Sequence, residues 1–166
     1  MIAILVSSLV TNQQLAEQIK VEIASHNIPC QIYNLVDLNL PVYSTRSEQN
    51  GIPASAMELA KQLKNAKGMV FVSPEYNGSV PPVFNNSIAW ISRTDKDWRA
   101  CFNEKPALIA SSCGGGGQYV LMSMRSQLSF IGMNVIGRAI LQTSKRPADP
   151  DSIKSCVLQL IKLTSQ

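Results

Sequence analysis

Histidine is almost missing from this 166-residue chain, His26 being the only one. One imidazole builds neither a zinc site nor a Ser-His-Asp triad, so metal hydrolysis and triad chemistry are excluded as primary readings. His26, beside Asn27, falls at the predicted end of a helix, where it suits the helix dipole. Cysteine is sparse too: Cys30, Cys101, Cys113 and Cys156 show no CxxC or other metal-ligand spacing. With no secretory signal in view they read as free thiols rather than a disulfide framework. No apolar run comes near the roughly 18 residues that span a bilayer. The opening Met-Ile-Ala-Ile-Leu-Val lacks a basic start and a small-residue cleavage site, so it reads as a strand. A cytoplasmic protein is expected. Charge is also thin, at 16% of residues, with 15 Lys and Arg against 11 Asp and Glu. The basic residues are scattered, Lys145-Arg146 being the one adjacent pair. That pattern predicts neither a nucleic-acid stripe nor a membrane-binding patch.

What is present is an alternation. Residues 2–6, 31–35, 69–72, 107–110 and 135–140 are short apolar runs that read as strands, several buried on both faces. Helical patterns lie between them. The first covers about 12–26, with Leu15, Ile19 and Ile23 four apart and Thr11 and Gln14 spaced as a capping box. Pro53 opens a second, carrying Met57, Ala60 and Leu63. A third starts near Pro82, and a fourth follows the glycines at 114–117. The last begins at Asp149-Pro150 and buries Ile153, Val157, Leu160 and Ile161. Residues 41–53 form the longest irregular stretch. The expectation is one α/β domain over residues 1–166: a flavodoxin-like three-layer sandwich, its five-stranded parallel sheet in the order 2-1-3-4-5 with helices on both faces. That order binds a flavin nucleotide at the switch between the first and third strands.

Three loops then meet at one rim. Residues 7–12 lead a strand into a helix, and Ser7, Ser8, Thr11 and Asn12 either add donors to an anion site or merely cap the helix. Residues 111–117 hold four consecutive glycines, which read equally as a flexible loop or as a backbone that a flat ligand approaches closely. Cys113 there reads as a small filler. Residues 73–80 place Pro74, Glu75, Tyr76, Asn77 and Gly78 in a turn. Its backbone can bond the edge of a planar heterocycle while Tyr76 shields a face.

The stretch Pro74-Glu75-Tyr76-Asn77-Gly78-Ser79-Val80-Pro81 resembles the Pro-Glu-Tyr-Asn-x-Ser-hydrophobic-Pro signature of the NADPH-dependent FMN reductase family, the flavodoxin-like group of quinone, chromate and azo-dye reductases. Residues 86–93 continue the likeness. Leu40-Pro41-Val42-Tyr43 is similar to the family's segment after the second strand, and the glycine run, followed by Arg125 and Leu128, to its third flavin loop. The resemblance covers nearly the whole chain. It implies that Pro74, Glu75, Tyr76, Asn77 and Gly78 line the isoalloxazine ring of FMN. Ser112, Gly114 and Gly115 would contact its other side, and Ser8, Thr11 and Asn12 would hold the phosphate. It further implies a homodimer or homotetramer with the helix bearing Trp90 in the interface, although spacing alone makes Trp90 core. The family's first loop usually reads Gly-Ser-x-Arg-x-x-Ser-x-Asn. Here residues 6–12 are shorter and lack the Gly and the Arg, while Asn85 and Ala89 stand where Lys and Asp are frequent.

The implied activity is NAD(P)H oxidation in ping-pong order, with hydride passing through flavin N5 to quinones, flavins or similar acceptors. No protein acid or base is obligatory, and Glu75 reads as a structural hydrogen-bonding residue. Backbone N–H groups near Asn77 and Gly78 would favour the anionic reduced ring, by about a few kcal/mol. Two alternatives stay open: a degenerate protein that has lost FMN and binds or regulates, and a flavodoxin-type electron carrier. The positive net charge opposes the carrier, which ordinarily steers its partners with an acidic surface.

Overall fold

The structure, a computed structural model, describes residues 1–165. Five strands form one sheet: β1 (Ile2–Val6), β2 (Cys30–Asn34), β3 (Gly68–Val72), β4 (Pro106–Cys113) and β5 (Asn134–Thr143). All neighbours are parallel, in the order β2-β1-β3-β4-β5. Every residue of β1 and β3 is buried, which is why both read as unbroken apolar runs.

Side-chain alternation along the strands feeds two cores. Leu5, Phe71 and Ile109 point to one face, where α3 (Ala54–Asn65), α4 (Pro82–Ile91) and α5 (Gln118–Phe130) cover them. Ile4, Val70 and Leu108 point to the other, beneath α1 (Thr11–Ser25) and α6 (Pro150–Thr164). On α1, Leu15, Ile19 and Ile23 are buried, as their four-residue spacing predicts. Asp149 caps α6, accepting the N–H groups of Asp151 and Ser152 at 3.4 and 3.2 Å, and Pro150 occupies the first turn. The chain therefore crosses to opposite faces after β1 and after β3, leaving a crevice at their carboxyl ends.

Several local expectations are corrected. The Thr11–Gln14 capping box does not form: Val10 is the N-cap, Thr11 is already helical, and no side chain caps α1. Met57 is exposed, because α3 turns Ala56, Leu59, Ala60 and Leu63 inward instead. On α6 the buried set includes Cys156, with Ile161 only partly covered. Residues 41–53 are not simply irregular. They contain a short helix, α2 (Thr45–Glu48), and lie clamped on α4. Asn86 donates to the carbonyls of Leu40 and Pro41 at 3.3 and 3.0 Å and accepts the Tyr43 N–H at 2.8 Å. Trp90 donates from Nε1 to the Pro41 carbonyl at 2.6 Å, and Tyr43 meets its ring edge-on with centroids 5.3 Å apart. Arg93 reaches Glu48 at 2.9 Å. The Trp90 ring is thus wholly core, its fractional exposure being 0%.

All four cysteines are free thiols, and burial pushes those of Cys101 and Cys156 up from the usual range. Among the described residues no cluster of His, Cys, Asp and Glu is arranged to hold a metal ion, and no helix is long and apolar enough to cross a membrane.

Candidate functional site

A cleft of about 900 Å³ opens at the carboxyl ends of β1, β3, β4 and β5. Of the residues expected there, Ser8, Thr11, Asn12, Pro74, Glu75, Tyr76, Ser112 and Gly114 line it. Asn77, Gly78 and Gly115 lie outside the lining. The first two form the exposed tip of a tight turn, with φ of 51° and 75°, closed by paired Tyr76 and Ser79 backbone hydrogen bonds of 2.9 and 3.0 Å. Positive φ at both central positions is the type I′ geometry that Asn-Gly favours.

Asn12 does not reach outward. It is buried, and its carboxamide bonds the Ser112 backbone both ways: Nδ2 donates to the carbonyl and Oδ1 accepts the N–H, each at 2.8 Å. The side chain therefore acts as a strand partner that ties the start of α1 to the end of β4. Glu75 is similarly committed. Its Oε2 accepts the Val120 N–H at 3.2 Å, in the first turn of α5, where a carboxylate also suits the helix dipole. Where β1 and β3 end, Ser7 donates to Ser73 at 2.9 Å, and in β4 the Ser111 hydroxyl is buried without a protein partner.

The four glycines differ in what surrounds them. Gly117 has φ of 70°, and a Cβ there would strike the Leu141 side chain and the Cys113 Sγ; at Gly116 it would strike Gln118. Gly117 is therefore required by its positive φ and its packing, whereas the contact at Gly116 is with the end of an exposed, flexible side chain. At Gly114 and Gly115 a Cβ would meet nothing within 4 Å, so at the cleft wall Gly114 keeps open a space that packing does not demand.

Two parts of the site were not read from the sequence. β4 and β5 run to Cys113 and Thr143, three residues beyond the expected strand ends, so Gln142, Thr143 and Ser144 join the wall. The apolar part comes from Pro81, Pro82, Val83 and Val36, together with exposed Leu9 and Val10. Thr143, a β-branched residue of the kind that favours strands, is the sequence signal for the longer β5.

These residues suit a flavin mononucleotide. A cleft of this volume with apolar walls matches a flat heterocycle. Gly114 leaves a hollow along one side, and the hydroxyl-rich end meets an α1 amino terminus whose first N–H groups no side chain caps.

A flavodoxin-like sheet with its cleft at the topological switch point defines a class of nucleotide-binding α/β proteins. The solved flavoenzyme NAD(P)H:(acceptor) oxidoreductase FerB of Paracoccus denitrificans shares this fold, with a TM-score of 0.77 at 19% identity over 99% of this chain and 94% of that one. A flavodoxin from the domain Archaea aligns over 100% of both chains, with a TM-score of 0.67 and 17% identity. The sequence profile of the NADPH-dependent FMN reductases matches residues 1–147, and the chain belongs to that family. It is 37% identical over 103 residues to a quinone reductase of Escherichia coli strain K12, covering 60% of this chain and 53% of that protein. With an NADPH:quinone oxidoreductase of Arabidopsis thaliana it shares 32% over 99 residues, 58% and 48% of the two chains. The chain spans about half the length of these relatives.

Proposed function

We propose that residues 1–166 form one FMN-binding domain that oxidises NADPH or NADH and passes the electrons to quinones, flavins or similar acceptors. The observation that carries this reading is the cleft itself, which gathers three loops and the end of β5 at the switch point of a sheet from this family. FMN, when bound, supplies the hydride chemistry. The protein's part is to hold and orient. Pro74, Glu75 and Tyr76 flank the ring, with the Asn77 and Gly78 turn at its edge. Ser112, Gly114 and Gly115 stand opposite, and Ser8 and Thr11 face the phosphate. Asn12 acts from behind, by fixing the α1 start against β4. Glu75 keeps the 74–80 turn seated on α5 through Val120, which favours a positioning role over proton transfer. The nicotinamide nucleotide and the acceptor take turns at one cleft opening, a ping-pong order.

The reading includes a homodimer or homotetramer in the cytoplasm. Tyr119, Met122 and Phe130 lie along one side of α5 at 68%, 67% and 78% exposure, an apolar row of the kind a second copy covers. The free thiols suit a reducing compartment. The test is steady-state oxidation of NADPH and of NADH by FMN-loaded protein with 1,4-benzoquinone as acceptor. Parallel double-reciprocal lines are expected; absence of turnover in the loaded protein contradicts the reading.

A further inference from the structure

The phosphate end of the cleft has an electrostatic gap. Residues 7–12 contain no basic side chain, and the first turn of α1 carries no charge. A phosphate monoester near neutral pH is between a mono- and a dianion, so hydroxyls and helix N–H groups alone leave much of its charge uncompensated. The turn after β5 belongs to the same cleft. Asn12 binds α1 to Ser112, Ser112 pairs with Gln142, and Cys113 pairs with Thr143. Three adjacent elements thus carry the turn to the cleft, where Thr143 and Ser144 form part of the wall.

The turn is ordered by its own hydrogen bonds. The Thr143 and Arg146 backbones pair at 2.8 and 3.2 Å. The Thr143 Oγ1 accepts the N–H groups of Lys145 and Arg146 at 3.3 and 3.1 Å, which leaves its own proton to donate elsewhere. The two cations of the turn differ in their surroundings. Arg146 lines a small surface recess with Asp149, whose carboxyl lies below its ordinary range chiefly through the Ser152 hydrogen bonds, Arg146 adding to the effect. Lys145 is in no ion pair among the described residues and directly follows the wall residue Ser144. The one carboxylate lining the cleft, Glu75, is engaged with Val120 on α5. No other carboxylate lines the cleft to compete with a phosphate for Lys145.

We propose that the turn at residues 143–146 is the second wall of the phosphate pocket, with Lys145 supplying its positive charge and Thr143 its hydroxyl contact. This rests on the FMN reading above, and it assigns the pocket's cation to the end of β5 instead of the loop after β1. A lysine suits the role, because a flexible stem carries a compact charge to a phosphate without fixed geometry.

The test compares FMN with riboflavin, which lacks the phosphate, by fluorescence titration of apoprotein without nicotinamide. Wild type should bind FMN more tightly than riboflavin. Lys145→Gln should weaken FMN about fivefold and leave riboflavin unchanged, the size of a solvent-accessible charge contact. Lys145→Arg should restore most of the difference. Lys154→Gln, the same charge change on exposed α6, should alter neither flavin. An FMN-to-riboflavin ratio unmoved by Lys145→Gln overturns the assignment while the FMN reading stands. A raised KM for NADPH with that ratio unmoved gives the charge to the nicotinamide nucleotide and overturns it equally. Failure of wild type to bind either flavin overturns both the assignment and the FMN reading.

Discussion

The carboxamide of Asn12 and the backbone of Ser112, a hundred residues apart in sequence, bond each other twice at 2.8 Å inside the protein. The pair couples two walls of the cleft. Asn12→Ala leaves a buried N–H and C=O of Ser112 without partners, and each such group costs about 1–3 kcal/mol. Urea unfolding should show a loss of about 2 kcal/mol or more, and FMN affinity should fall as the α1 start loosens. A variant as stable as wild type would show the pair to be incidental.

Within the glycine run, the two kinds of position should separate stability from binding. Gly117→Ala puts a Cβ at positive φ against Leu141 and Cys113, and should cost about 1–3 kcal/mol in chemical denaturation. Gly114→Ala meets open space and should leave the denaturation midpoint within experimental scatter while weakening FMN binding. Equal effects on stability would refute the division.

Glu48 makes the clamp on α4 pH-dependent. The Tyr43 hydroxyl, then the Arg93 guanidinium, hold its carboxyl below the usual range. A folded value below the unfolded one contributes stability that is full above the ordinary carboxylate range. That contribution is lost as pH falls through the lowered folded value. Wild type should therefore exceed Glu48→Gln in stability at pH 7, and the gap should close as unfolding curves are taken down toward pH 3. A gap independent of pH would remove Glu48 from the acid response.

Trp90 is a core residue, bonded to the Pro41 carbonyl. Trp90→Phe should cost about 1–2 kcal/mol by leaving that carbonyl without its donor. Light scattering should give the same molecular mass for the variant as for wild type. Dissociation in the variant alone would place the ring's role at a subunit contact.

The order of the sheet and the position of the switch point were legible because β1 and β3 are buried on both faces, and continuous apolar runs declare themselves. Helix faces followed from spacing, as with Leu15, Ile19 and Ile23. Long-range polar contacts were not legible. An asparagine at a helix start reads the same whether it faces a phosphate or Ser112, and only the fold brings position 112 to position 12. The clamp of residues 41–53 depends in the same way on Asn86, Trp90 and Arg93, which sit some 45 residues downstream. β5 was read short because Gln142 and Thr143 end an edge strand, where polar residues interrupt the apolar signal. Thr11 reads as a cap from its residue type, yet the cap position falls one residue earlier, at Val10, whose side chain has no polar atom to bond.

The central claim is that the cleft at the ends of β1, β3 and β4 binds one FMN per chain. Titration of the purified apoprotein, following flavin fluorescence and the visible band together, tests it most directly. Saturable quenching at one equivalent with a shifted flavin band is the predicted result. A flavin spectrum unchanged by protein at about 50 μM, where even a binding free energy of only about −6 kcal/mol would register, would contradict it.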